Sequence, residues 1–82
     1  MNRDELLALA ARRRCLEDLL ASGQARRIRE QARVTCAEVA RTLRVRSTAV
    51  DAWEHGRSFP PAGVDLVYLE LLEALAAVQE PS

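Results

Sequence analysis

The chain has 82 residues, enough for one small domain, and 49% of them are hydrophobic, which suffices for a core and argues against disorder. Its three glycines and three prolines interrupt a composition rich in alanine and leucine, so helix is favoured throughout and no stretch alternates long enough to demand a strand. The formal net charge is zero, which excludes any argument from bulk basicity.

The N-terminal residues Met1 to Glu5 lead into a mixed charged stretch and not an apolar segment, so no secretory signal is expected. No apolar run reaches the roughly eighteen residues a membrane span needs. Cys15 and Cys36 lack metal-ligand spacing and His55 is the one histidine, so no metal site and no cofactor are expected. Free thiols in a reducing cytoplasm are the simpler reading of the two cysteines.

In chain order, residues 3–20 read as an amphipathic helix. Ala8, Ala11, Cys15 and Leu19 recur at helical spacing, with Leu9, Leu16 and Leu20 beside them. Arg12, Arg13 and Arg14 read as a solvated face. Ser22 and Gly23 break the helix. A second helix over residues 24–33 carries Ala25, Ile28 and Ala32 on one face. Thr35 followed by Glu38 forms a capping box and predicts a third, short helix over residues 36–43. Residues 44–46 connect it to a fourth over residues 47–55, which Gly56 ends. After the rigid Phe59-Pro60-Pro61 loop, a fifth helix covers residues 64–78. Its apolar residues form a near-heptad seam (Val64, Val67, Leu71, Leu75, Val78) and an adjacent stripe (Leu66, Leu69, Leu72). That is more apolar surface than one small core requires, so a homodimer through the N- and C-terminal helices is expected.

The expected fold is therefore all-α, a compact five-helix domain with a central helix-turn-helix. The single domain spans residues 1–82. It divides into an N-terminal helix (1–21), a helix-turn-helix core (22–63) and a C-terminal helix with its tail (64–82).

Charge is distributed unevenly. Residues 1–21 balance, residues 22–57 carry eight arginines against four acids for a net of +4, and residues 58–82 carry a net of −4. All twelve basic residues are arginine, a bias attributed here to codon usage in a GC-rich genome and not to nucleic-acid binding.

The stretch from Thr35 to Pro60 holds two short helices joined by a tight turn. Ala40 is small where the second helix must cross, and Leu43, Val45, Val50 and Trp53 are spaced to fill the space between the helices. In Val39-Ala40, Leu43, Val45, Val50, Trp53-Glu54-His55-Gly56-Arg57 and Pro60, with Ile28-Arg29 upstream, the sequence resembles the Xre/Cro-type (lambda-repressor-like) helix-turn-helix family over about half of the chain. The resemblance implies a buried ion pair between Arg29 and Glu54. It also implies a recognition helix whose N-terminal half enters the major groove of a double-stranded DNA operator. Helical geometry then leaves Arg46, Ser47, Thr48, Asp51 and Ala52 for base contacts, with Ala49 and Ala52 able to meet thymine methyls. Thr35, Cys36, Arg44, His55 and Arg57 stand where the family contacts phosphate. Arg44 occupies a turn position where the family has glycine. Either a non-glycine residue there takes positive φ, at a cost of about 1 kcal/mol, or the turn differs. Cys36 replaces a glutamine, and the first and last helices are not standard parts of the family.

No nucleophile, base and oxyanion set can be assembled, so the chain is not expected to be an enzyme. His55 reads as an ordinary helix-end residue and Trp53 as core. The expected function is a Cro-like phage or bacterial repressor, cytoplasmic, with no membrane partner and no small-molecule ligand. The alternative is an antitoxin or other protein-interaction module.

Overall fold

The computed structural model describes residues 1–78. Among them it has five helices and no strand: α1 (Arg3–Ala21), α2 (Gln24–Gln31), α3 (Cys36–Leu43), α4 (Ser47–Glu54) and α5 (Val64–Ala77). The all-α, five-helix class expected from the sequence is the class observed. The expected tail, residues 79–82, lies outside the described residues.

Local chemistry sets the helix ends. At the start of α1 the Asn2 side chain accepts from the Glu5 amide at 2.8 Å and donates to the Glu5 carboxylate at 3.1 Å. The capping box of α3 forms as the sequence implies. Thr35 Oγ1 accepts from the Glu38 amide at 3.1 Å, and Glu38 Oε1 accepts from the Thr35 amide at 3.0 Å.

Helices α2, α3 and α4 end alike, each with a left-handed residue whose successor's amide reaches back five residues. The bonds are Val34 to Arg29 O (3.1 Å), Val45 to Ala40 O (2.9 Å) and Arg57 to Ala52 O (2.9 Å). The left-handed residues are Arg33 (φ 58°), Arg44 (φ 60°) and Gly56 (φ 72°). Positive φ at Arg33 explains why α2 stops at Gln31, two residues short of the expected end. Arg44 takes the glycine-like conformation itself, the first of the two expected alternatives.

Every helix contributes to one core. Leu16 and Leu20 come from α1, Ala25 and Ile28 from α2, Val39, Ala40 and Leu43 from α3, Val50 and Trp53 from α4, and Tyr68, Leu69 and Leu72 from α5. Trp53 and Tyr68 stack obliquely at its centre, their ring centroids 5.3 Å apart and their planes at 44°.

Two expected faces need correction. In α1 the buried residues are Leu16 and Leu20, while Ala8, Ala11 and Cys15 stay exposed. Leucine removes more apolar surface from water than alanine, so the leucine side wins the core. In α5 the buried set is Asp65, Tyr68, Leu69 and Leu72, whereas Val67 is 50% and Val78 78% exposed. Of the expected seam, Val64, Leu71 and Leu75 lie at the edge of the core and only Val67 and Val78 face outward.

A third correction concerns the three consecutive arginines. Arg12 forms a two-pronged bond to Glu73 (2.9 and 2.8 Å), and Arg13 Nε donates to the buried carboxylate of Asp65 at 3.0 Å. Arg14 alone fits the solvated reading, 3.9 Å from Asp18 with both side chains about three-quarters exposed. The acidic C-terminal segment thus clamps α1 onto α5. Asp65 also accepts from the Gly63 and Leu66 amides at 3.1 and 2.8 Å, which serves two main-chain donors at the start of α5 and satisfies the carboxylate of a residue only 2% exposed.

Candidate nucleic-acid interface

The candidate site is the α3–α4 unit. Two eight-residue helices are joined by Arg44, Val45 and Arg46, and they make the most extensive helix–helix contact in the fold. Ala40 is buried at 3% exposure, which lets the second helix cross close to the first. Val50 and Trp53 fix the inward side of α4, and Ala49 packs at the edge of the core. This leaves Arg46, Ser47 and Thr48 exposed at the start of α4, with Asp51 and Ala52 half-buried further along. Arg46 stands at the N-cap without a capping side-chain bond, so its guanidinium is not committed to the helix.

Arg29 and Glu54 brace this unit from beneath. Arg29 Nε and Nη2 donate to the two Glu54 oxygens at 2.6 and 3.0 Å, and Arg29 Nη1 donates to Val34 O at 2.9 Å. The side chains are 13% and 1% exposed. One guanidinium therefore ties the end of α2, the entry to α3 and the last turn of α4 together. Its hydrogen bonds to Glu54 hold its pKa above the ordinary arginine value.

Several residues expected to touch DNA are also engaged within the protein. The Thr35 hydroxyl is held by Glu38, donating to its carboxylate at 3.1 Å. Glu38 is itself pushed below the usual carboxylate range by its bonds to Thr35. The Cys36 thiol turns inward to Glu54 Oε1 at 3.8 Å. Burial and that neighbouring carboxylate raise its pKa, which keeps it a thiol. A phosphate would meet the main chain of residue 36 and not its side chain.

Asp51, His55 and Arg57 form a local group. Asp51 lies 3.3 Å from His55 Nδ1 and 3.7 Å from Arg57 Nη1. His55 Nδ1 is also 2.8 Å from the Asp51 carbonyl oxygen, a contact that requires a proton on Nδ1. Asp51 therefore lies against both the His55 ring and the Arg57 guanidinium at the end of α4.

Arg44 and Arg46 are exposed and in no ion pair among the described residues, and the same holds for Arg41, which sequence reasoning did not single out. The signal that marks Arg41 is an exposed cation in the last turn of α3. Asp65 and Glu73 were missed as structural acids as well, because their partners lie far away in sequence.

Comparison with family models, with curated proteins and with solved structures finds no match for this chain. Among the described residues no helix is long and apolar enough to cross a membrane.

Proposed function

We propose that this chain binds double-stranded DNA through α3 and α4 and acts as a Cro-like regulator in a bacterial cytoplasm, of phage or bacterial origin. The observation that carries the reading is the α3–α4 unit. It is a pair of short helices joined by a three-residue turn, with Ala40 buried in the first, Val50 and Trp53 inward and Arg46, Ser47 and Thr48 outward at the start of the second helix. In this reading Arg46, Ser47 and Thr48 read base edges in the major groove, with Ala52 available to a thymine methyl. Arg44, Arg57 and His55, and the main chain at Thr35 and Cys36, meet phosphate. Asp51 orients His55 and Arg57 and accepts from a cytosine amino group where one is presented. The protein is not an enzyme and takes no cofactor or small-molecule ligand.

The test is selection of an operator from random duplexes, followed by two substitutions on a panel of operator variants. Thr48→Ala is expected to cost about 1–3 kcal/mol at one operator position and little elsewhere. Arg57→Ala is expected to weaken all sequences alike and lower the salt slope by about one unit. No salt-dependent binding to any duplex refutes the proposal. Uniform weakening by both variants removes α4 as the reader. The second reading, an antitoxin or other protein-interaction module, is favoured by the two leucines Leu6 and Leu7, each 56% exposed on α1. Co-purification with a toxin separates the two.

A further inference from the structure

The first turns of α1 stand clear of the domain. From Met1 to Ala11 no residue is buried, and only Leu9 is partly covered. Further along, α1 gives Leu16 and Leu20 to the core. At about 100° per residue, the side directly opposite these carries Asp4, Leu7, Ala11, Arg14 and Asp18 at alternating spacings of three and four, flanked by Ala8 and Ala10. All seven are exposed, and Arg14 Nε lies 3.9 Å from Asp18 of its own chain.

We propose that this face of α1 pairs with the same face of a second copy of the chain, the helices antiparallel about a two-fold axis. One register makes the face its own complement. It sets Leu7 opposite the partner's Ala11 and Asp4 opposite the partner's Arg14, and the two-fold axis repeats both pairs. Arg3 then lies beside the partner's Glu17, a second attraction at the flank. Ala8 and Ala10 meet their own counterparts, small side chains that let the two backbones approach closely. Sliding by one heptad in either direction sets Leu7 against a carboxylate, Asp18 or Asp4, so the alternative registers lose the apolar contact and the ion pairs together.

An open cleft beside α1, lined by Ala11, Arg14, Cys15 and Leu19 among others, lies on the same side. In the favoured register Met1 of the second copy, itself 83% exposed, arrives at that cleft near Cys15. The occupant is a second copy because the attractive charges and the apolar pair are all supplied by one helix face. A partner of other sequence would have to reproduce that pattern. One helix pair is a small interface, so the dimer forms by mass action and is not obligate. The proposal is independent of DNA binding.

Sedimentation equilibrium of the full chain without DNA tests it, with circular dichroism confirming that each variant keeps its helices. The wild-type chain is expected to pass from monomer to dimer as concentration rises through the micromolar range. Asp4→Arg and Arg14→Asp are each expected to weaken association about tenfold, and the combined swap to restore it. Leu7→Gln is expected to weaken it as well, and the chain folds regardless because Leu7 is outside the core. A wild-type chain that stays monomeric throughout overturns the proposal. So do single swaps or Leu7→Gln that associate like wild type, and a double swap no better than either single one. None of these results bears on whether α4 reads DNA.

Discussion

Removing one member of the Arg29–Glu54 pair is the sharpest perturbation the fold offers, and the two removals are not equivalent. The Glu54 side chain is 1% exposed and accepts both prongs of the guanidinium at 2.6 and 3.0 Å. Without Arg29 its carboxylate keeps only the weak thiol contact from Cys36 at 3.8 Å. Arg29 is 13% exposed and retains the Val34 carbonyl when Glu54 is removed, so part of its charge stays solvated and bonded. Breaking a buried pair costs about 3–5 kcal/mol because the survivor is an uncompensated charge. Arg29→Ala is therefore expected at the upper end of that range and Glu54→Ala at the lower. A domain of 82 residues has a total stability of about 4–12 kcal/mol at roughly 0.05–0.15 kcal/mol per residue. Either change consumes a large share of it. Urea unfolding followed by circular dichroism at neutral pH gives both differences. A shift in midpoint equivalent to less than about 1 kcal/mol for Arg29→Ala would falsify the claim that the pair is structural. The reverse ranking of the two variants would show that the Val34 bond does not support the lone guanidinium.

Two further outcomes follow from the helix ends and the clamps. Glu38 is lowered by its bonds to Thr35 and Glu73 by its bonds to Arg12, so both carboxylates are more acidic folded than unfolded. Their contribution to stability is complete above the ordinary glutamate pKa and is lost as pH falls through the folded values. A pH titration of the unfolding midpoint should show a decline on the acid side that flattens in the combined Glu38→Gln and Glu73→Gln variant, and an unchanged decline removes these groups as its source. Arg44→Gly is expected to stabilise the fold by up to about 1 kcal/mol, since φ is 60° there, and a destabilised variant would mean that the arginine side chain contributes packing.

The readable parts of this fold are those whose physics is local. A threonine hydroxyl three residues before a glutamate, or a glycine after an apolar run, contains its whole mechanism within one turn of chain, so the start of α3 and the stop at Gly56 are legible directly. The end of α2 was not, because nothing in the residue type marks Arg33 as the left-handed position. Choice of face in α1 and α5 was illegible for another reason. Both helices carry two apolar stripes, and which one is buried depends on neighbours such as Trp53 against Tyr68 that come together only in the folded chain. Long-range ion pairs behave likewise: Arg12 and Glu73 are 61 residues apart and Arg13 and Asp65 are 52 apart. Of the candidate site, the outward side of α4 was readable by subtraction from Val50 and Trp53. The inward turn of the Cys36 thiol and the grouping of Asp51 with His55 and Arg57 required the structure.

Zero net charge and an exposed cationic surface are compatible here because the acids and the arginines are sorted by role. Asp65, Glu73 and Glu54 are spent on Arg13, Arg12 and Arg29, holding helices to one another. Arg3, Arg27, Arg33, Arg41, Arg44 and Arg46 are exposed and in no ion pair among the described residues, and all but Arg3 fall between positions 27 and 46. Three of them, Arg41, Arg44 and Arg46, cluster in sequence around the turn between α3 and α4. The preceding acid, Glu38, has its carboxylate turned back on the Thr35 amide, and the following one, Asp51, lies against His55 and Arg57. Two of these pairs tie the N-terminal arginines to the C-terminal acids, and the middle of the chain keeps its net of +4 against −4 on the two ends together. A polyanion responds to that local field and not to the formal sum, since screening confines each charge to about 8–10 Å at physiological salt. The balance that makes the sequence look indifferent to nucleic acid is, in three dimensions, the balance of an internal scaffold with a positive segment across its centre.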